Sequence, residues 1–189
     1  VRTHARLRQL LPDRVALIGA TGLVERLRAI KEPDEVELMR AASVIADEAF
    51  ERLLADGLIG RTEREVVLSL ESTMRELGAQ RPSFDSIVAS GAHGALPHAQ
   101  PRDVVIEAGQ LVVIDWGAEV NGYCSDCTRT VATGELAEQA TEVYALVRSA
   151  QLAGLEAVRP GGGGRAIDGV ARGVIDRGGY GERFGHGLG

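Results

Sequence analysis

The sequence is poor in cysteine, aromatic residues and lysine, and it has no long apolar run. Its 189 residues include two cysteines, while Phe, Tyr and Trp together make up 4%. Two cysteines are too few for the disulfide framework of a small secreted domain. No stretch approaches the roughly 20 apolar residues of a membrane helix, and no secretory signal pattern opens the chain. We therefore expect a cytoplasmic protein without a membrane partner.

The charge balance argues against nucleic acid as a partner. Lys and Arg total 21 against 27 Asp and Glu, which gives a net charge of −6. An acidic chain repels phosphate backbones. Apolar residues at 44% and charged residues at 25% are close to the average of globular domains. The composition thus predicts a folded domain that does not bind nucleic acid.

Hydrophobic periodicity predicts helices on both sides of a β-rich centre. Thr62-x-x-Glu65 is a capping box that begins a further helix, which Gly78 ends. Apolar stripes predict helices over 21–30, 34–55, 136–158 and 166–177. Runs of strand-forming residues cover 14–19, 86–90, 111–120 and 123–133. Helices that flank a group of strands in this order predict an α+β fold.

Asn121-Gly122 separates two of the strand-like runs and is a strong hairpin signal. A two-residue turn at this point places Asp126 opposite Gly117. Because side chains alternate along a strand, Asp115 and Asp126 then project from the same face as diagonal neighbours, with Cα atoms roughly 7–8 Å apart. The missing side chain of Gly117 would leave an open slot beside both carboxylates.

Two carboxylates on a sheet face that should be buried need a compensating charge, because burial disfavours both anions and each raises the pKa of the other. A divalent cation such as Mn, Mg, Zn or Co would remove that cost, and Thr128 could support Asp115 with a hydrogen bond. Three alternatives to metal binding stay open. In the first the sheet face is solvated, in the second one aspartate pairs with Arg129, and in the third a β-bulge near Glu119 changes the register.

The remaining reactive side chains complete no motif by themselves. Cys124-x-x-Cys127 lies in a predicted strand, where its thiols point to opposite faces, so it favours neither zinc nor redox chemistry. His98 lies in a Gly- and Pro-containing loop, where an imidazole could transfer a proton near neutral pH. A lone loop histidine is more often a plain surface residue. His186 has glycine on both sides, so the backbone can approach other groups closely there.

Four segments of the sequence together resemble motifs of one known family. They are Ser90-Gly91-x-x-Gly94-Ala95-Leu96-Pro97-His98, Ile114-Asp115-x-Gly117, Gly122-Tyr123-Cys124-Ser125-Asp126-x-Thr128-Arg129-Thr130 and Gly179-Tyr180-Gly181-x-x-Phe184-Gly185-His186-Gly187-Leu188-Gly189. The family is that of the pita-bread metallopeptidases, in its Xaa-Pro dipeptidase and aminopeptidase P branch. The resemblance implies helices packed on an antiparallel, curved sheet, here as a partial domain.

The resemblance also implies a function and a set of site residues. Asp115 and Asp126 would bind two divalent metal ions, usually Mn, Co or Zn, with Asp126 bridging both. His98 and His186 would be catalytic residues that contact an Xaa-Pro peptide or its leaving group. A metal-activated hydroxide would hydrolyse the peptide bond that precedes proline. Members of the family are often dimeric, so the resemblance also implies a homodimer.

The family's remaining ligands, a second histidine and two glutamates, would follow Gly189. Two aspartates do not complete a dinuclear site, so we expect residues 1–189 alone to be inactive. We interpret residues 1–32 as the end of an N-terminal creatinase-like domain. Residues 33–189 would be an incomplete pita-bread catalytic domain, consisting of its first half and the helices of its second half.

Three other functions stay open. A creatinase-like amidinohydrolase shares the fold but works without metal, and it has no use for the two aspartates. A non-catalytic pseudo-peptidase would bind partners through the same fold. Methionine aminopeptidases are a nearer alternative, although residues 21–32 resemble the end of the extra domain of proline peptidases. The metal content of the whole protein would separate the metallopeptidases from the first two.

Overall fold

A computed structural model describes residues 2–188 of the chain. Gly189, the last residue of the fourth motif, lies outside this range. The helices are α1 (Arg2–Leu10), α2 (Leu23–Ala29), α3 (Pro33–Asp56), α4 (Glu63–Glu76), α5 (Glu138–Ala157) and α6 (Gly164–Arg177). The strands are β1 (Arg81–Pro82), β2 (Ile87–Ser90), β3 (Leu111–Trp116), β4 (Ala118–Val120), β5 (Tyr123–Cys124) and β6 (Cys127–Ala132).

The strands form two small antiparallel sheets. Their orders are β1-β4-β5 and β2-β3-β6. The predicted strand over 111–120 is therefore divided at Gly117, and the one over 123–133 is divided at residues 125–126. The α+β prediction is confirmed, since helices α3 and α4 pack against antiparallel strands.

Burial along β3 determines which sheet face carries the site. Val112, Ile114 and Trp116 are buried in the cluster that α3 and α4 cover. Trp116 stacks on Phe50 with ring centroids 4.5 Å apart, and its indole N–H donates to the carbonyl of Ala46 at 2.9 Å. Because successive side chains alternate, Asp115 points to the opposite face of the sheet.

The predicted helix starts follow from local capping. Thr62 Oγ1 accepts a hydrogen bond from the Glu65 N–H at 3.1 Å, and Glu65 Oε2 accepts from the Thr62 N–H at 2.7 Å. This reciprocal pair is the capping box that the sequence predicts for α4. Pro33 occupies the first turn of α3, where its missing N–H costs no helical bond.

Helices α5 and α6 form a second apolar cluster. Ala150, Ala171 and Ile175 are buried between them. The stripe predicted for α5 is wrong at two positions, because Val147 is 51% exposed and Leu155 is 62% exposed. Both residues lie on a side of α5 that the described part of the chain leaves open to solvent.

One further prediction about secondary structure is wrong. The strand predicted over 14–19 is absent, since these residues have no regular structure. A β-rich run becomes a strand only where a partner strand completes its hydrogen bonds. The short strand β1 was not predicted. Among residues 2–188, no helix combines the length and apolar character that crossing a bilayer requires.

Candidate metal centre

The hairpin has the register that the Asn121-Gly122 turn predicts. Both turn residues have positive φ, 49° and 83°, as a type I′ turn requires. The paired residues are Val120 with Tyr123, Glu119 with Cys124, Trp116 with Cys127, and Asp115 with Thr128. The pairing continues in step across the break at Gly117, so no bulge near Glu119 shifts it.

Asp115 lies beside two of the other predicted site residues. Thr128 Oγ1 donates a hydrogen bond to Asp115 Oδ1 at 2.8 Å. The pKa of Asp115 is raised above its ordinary value, mainly because the residue is partly buried and also because the Asp126 carboxylate is near. The Thr128 hydrogen bond and His98 act in the opposite direction. Asp126 and His98 are thus each close enough to Asp115 to influence its ionisation.

The two aspartates differ in exposure. Asp115 is half-buried, whereas Asp126 is exposed, so the expected burial of both carboxylates is wrong for Asp126. Arg129 donates from Nη1 to the carbonyl of Thr128 at 2.8 Å. No ion pair between Arg129 and either aspartate is present within residues 2–188. The arginine alternative is therefore not supported, while the solvated alternative fits Asp126 in part.

The space beside Gly117 is filled, which corrects the expectation of an open slot. A Cβ atom at this position would lie 2.0 Å from the carbonyl oxygen of Ser125 and 2.2 Å from Ser83 Oγ. Ser83 Oγ donates to that same carbonyl at 2.7 Å. Glycine is required here because the segment that carries Asp126 passes directly over the backbone of residue 117.

The carboxylate pair suits one side of a divalent-metal site. Oxygen donors match Mn, Mg, Zn and Co, and the mutual repulsion of Asp115 and Asp126 is what a cation would relieve. Across residues 2–188, no group of three or more His, Cys, Asp or Glu side chains is arranged to hold a metal. The two aspartates therefore account for part of a ligand set.

His186 lies in a segment that is held against α6. Arg172 donates from Nη1 to the carbonyl of Phe184 at 2.8 Å and from Nη2 to that of His186 at 2.9 Å. Asp168 pairs with Arg172 and accepts from the Leu188 N–H at 3.0 Å. No hydrogen bond or ion pair within the described range joins His186 to Asp115, Asp126 or His98.

A buried polar group next to the His98 loop was missed by sequence reasoning. We name it the Glu63 cluster, and it consists of Glu63, Ser90, His93 and Arg102. Glu63 has 0% relative exposure, and its carboxylate is bound by the other three residues. In the sequence, Glu63 looks like any acidic residue in the first turn of a helix, and His93 looks like a surface loop histidine.

The Glu63 cluster keeps its carboxylate ionised. Burial opposes ionisation, but hydrogen bonds from Arg102 and from the N–H and hydroxyl of Ser90 lower the pKa of Glu63 to about 2, from an ordinary value of 4.5. A depressed pKa means that ionised Glu63 stabilises the fold above its unfolded pKa. This contribution is lost as the pH falls toward 2.

Glu63→Gln should therefore have a pH-dependent effect on stability. Above about pH 5 we expect a loss of roughly 2 kcal/mol in the free energy of unfolding, because charge-assisted hydrogen bonds are replaced by neutral ones. The difference in the free energy of unfolding between the parent and the variant should become smaller as the pH is lowered from about 5 to 3. Urea unfolding at several pH values measures this difference. A difference that stays constant over this range would contradict the conclusion that Glu63 is ionised in the folded protein.

Comparison with known proteins identifies the family. Residues 37–189 match the model of metallopeptidase family M24. An Xaa-Pro dipeptidase of Pyrococcus furiosus is 42% identical over 167 residues, which cover 88% of this chain and 48% of that protein. The chain thus spans about half the length of the curated relatives it matches.

Solved structures agree with this assignment. An Xaa-Pro dipeptidase from Bacillus anthracis superposes with a TM-score of 0.89 at 39% identity, over 98% of this chain and 58% of that one. An X-Pro aminopeptidase from Thermotoga maritima gives a TM-score of 0.87 at 39% identity, over 94% of this chain and 50% of that one. The chain belongs to metallopeptidase family M24, and its helices and antiparallel strands form part of the pita-bread fold.

Proposed function

We propose that the whole protein is a metal-dependent peptidase that hydrolyses the bond preceding proline, as an Xaa-Pro dipeptidase or an aminopeptidase P. The observation that supports this proposal is that Asp126 and His98 both influence the pKa of Asp115, a carboxylate that the hairpin register and the Thr128 hydrogen bond position. Similarity to Xaa-Pro dipeptidases and to an X-Pro aminopeptidase supports the choice of substrate.

In this proposal the two aspartates hold two divalent metal ions, with Mn, Co or Zn as the candidates. Divalent metal supplies Lewis-acid polarisation of the scissile carbonyl and lowers the pKa of water. Thr128 fixes the orientation of the Asp115 carboxylate through its 2.8 Å hydrogen bond. Asp126, which is exposed, is accessible for binding from the same side.

The two histidines would act on the peptide and not on the metal. His98 is exposed on its loop, so its ring can reach a substrate and hold or donate a proton at the leaving nitrogen. His186 would contact the peptide from the segment that Arg172 holds. We propose that residues 1–189 alone do not hydrolyse peptides, because two carboxylates are not a full ligand set.

Three statements stay predictions: the domain boundary between residues 32 and 33, the homodimer and the cytoplasmic location. The structure has α2 ending at Ala29 and α3 beginning at Pro33, so the proposed boundary falls in the short connection between them. Helix α2 has no buried residue.

Metal removal and return in the whole protein tests the function. After chelation, we expect hydrolysis of an Xaa-Pro dipeptide to fall to background, and to return when Mn, Co or Zn is added. An otherwise identical Xaa-Ala dipeptide is the control and should be cleaved at least roughly tenfold more slowly, since about 1.4 kcal/mol of preference gives that ratio.

Two outcomes would contradict the proposal. Full activity toward a guanidino substrate in chelated protein, with no metal found by elemental analysis, would favour the creatinase-like alternative. No bound metal, together with no hydrolysis of any Xaa-Pro peptide, dipeptide or longer, would favour the pseudo-peptidase.

A further inference from the structure

The loop that carries His98 is attached at both of its ends to one buried carboxylate. This loop, residues 91–101, follows the last residue of β2, Ser90, and ends before Arg102. The side chain of Glu63, from the first turn of α4, lies between the two ends.

The β2 end of the loop is bound through one serine and one histidine. Ser90 donates to Glu63 Oε1 from its N–H at 2.9 Å and from its hydroxyl at 2.8 Å. The His93 Nδ1 atom lies 3.2 Å from Glu63 Oε2, and this ring is only 10% exposed. Within residues 2–188, the hydrogen bonds that join Ser90 and His93 to α4 all end on this carboxylate.

The other end is bound through Arg102. Its N–H donates to Glu63 Oε2 at 3.0 Å, and its guanidinium donates to the two carboxylate oxygens at 3.1 and 2.9 Å. The backbone N–H groups of Glu63 and Arg64 also donate to the carbonyls of Val104 and Arg102. Backbone contacts thus attach the far end to α4 independently, whereas the near end, which pairs with β3 through Ser90, is hydrogen-bonded to α4 through the Glu63 side chain.

The charge of Glu63 fits it for this task. A buried anion is retained only if its oxygens are fully hydrogen-bonded, and here both oxygens bind groups from each end of the loop. An amide in the same place has one acceptor oxygen, so it cannot bind Ser90 and the Arg102 guanidinium in the same way. The carboxylate therefore links the two loop ends in a way that an amide cannot reproduce.

We propose that Glu63 is a positioning residue that fixes the location of His98 by holding both ends of its loop. The inference rests on the proposed function, in which His98 contacts the substrate. Glu63 does not itself reach the reacting atoms, because it has no exposed surface.

A double-mutant cycle in the metal-loaded whole protein tests this role. Glu63→Gln should lower kcat for an Xaa-Pro dipeptide roughly 10- to 100-fold with unchanged metal content, as supporting residues commonly do. Glu76→Gln, which makes the same change on an exposed residue of α4, should leave kcat unchanged. In a His98→Ala background, Glu63→Gln should cause little further loss. If the two losses multiply, or Glu63→Gln leaves kcat unchanged, the proposal is overturned.

Two additions keep the test decisive. If Glu63→Gln does not fold, Ser90→Ala serves in the same cycle, since it removes only the hydroxyl bond to Glu63 Oε1 and leaves the Ser90 N–H and the Arg102 guanidinium bound to the carboxylate. If the parent protein hydrolyses no Xaa-Pro peptide, whether dipeptide or longer, the proposed function fails, while NMR of ¹⁵N-labelled histidines still tests the loop. The His98 ring signals should shift or broaden in Glu63→Gln and not in Glu76→Gln; unchanged signals would overturn the positioning role.

Discussion

Asp126→Ala in the whole protein is expected to reduce hydrolysis of an Xaa-Pro dipeptide roughly 10³-fold and to lower the amount of bound divalent metal. A metal supplies several kcal/mol of charge stabilisation in such reactions, and about 4 kcal/mol corresponds to about 10³ in rate. Steady-state kinetics in saturating Mn²⁺ and elemental analysis of the dialysed protein measure the two effects. The expectation rests on the hairpin register and on the effect of Asp126, which raises the pKa of Asp115.

Asp56→Ala is the matched control for this experiment. Asp56 is also an exposed aspartate, and it is the last residue of α3. It should keep both turnover and metal content. If Asp126→Ala retains the parent's turnover and metal content as well, then Asp126 is not a ligand and the proposed centre is wrong.

Gly117→Ala is expected to cost about 3 kcal/mol or more in the free energy of unfolding and to disturb the proposed metal centre. A Cβ atom 2.0 Å from the Ser125 carbonyl oxygen cannot be accommodated without moving backbone, and overpacking of this kind typically costs 1–3 kcal/mol or more. The segment that must move carries Asp126. We therefore expect metal affinity to fall together with stability, which urea unfolding and metal titration would measure.

Gly169→Ala provides the control, because a Cβ atom at that helical position meets no other atom within 4 Å. It should leave metal affinity unchanged and stabilise α6 by roughly 0.5–1 kcal/mol, since alanine is the better helix former. A Gly117→Ala protein as stable as the parent would show that the backbone does not approach this closely in solution.

The hairpin and the relation of its aspartates could be predicted because their causes are local. An Asn-Gly turn fixes the register, and alternation then assigns Asp115 and Asp126 to one face. The capping box that begins α4 is local in the same sense, as Thr62 and Glu65 lie three positions apart. Each of these features depends on residues whose spacing is visible in the sequence.

The features that sequence reasoning missed depend on contacts between distant positions. Glu63 meets Ser90 across 27 positions and Arg102 across 39, and neither periodicity nor turn chemistry connects such residues. The packing over Gly117 is also non-local, because Ser83 lies in another part of the chain. The wrong prediction of a strand over 14–19 also has a non-local cause, since the composition of that run favours a strand but no partner strand lies beside it among residues 2–188.

The separation of the two apolar clusters affects how a nascent chain would fold. The larger cluster draws its residues from positions 45–131, whereas the smaller one lies within α5, α6 and the segment that follows them. At roughly 5–20 residues per second of translation, the ribosome completes the larger cluster seconds before it finishes α6. The sheet and its aspartate hairpin can therefore form while the helical pair is still being synthesised.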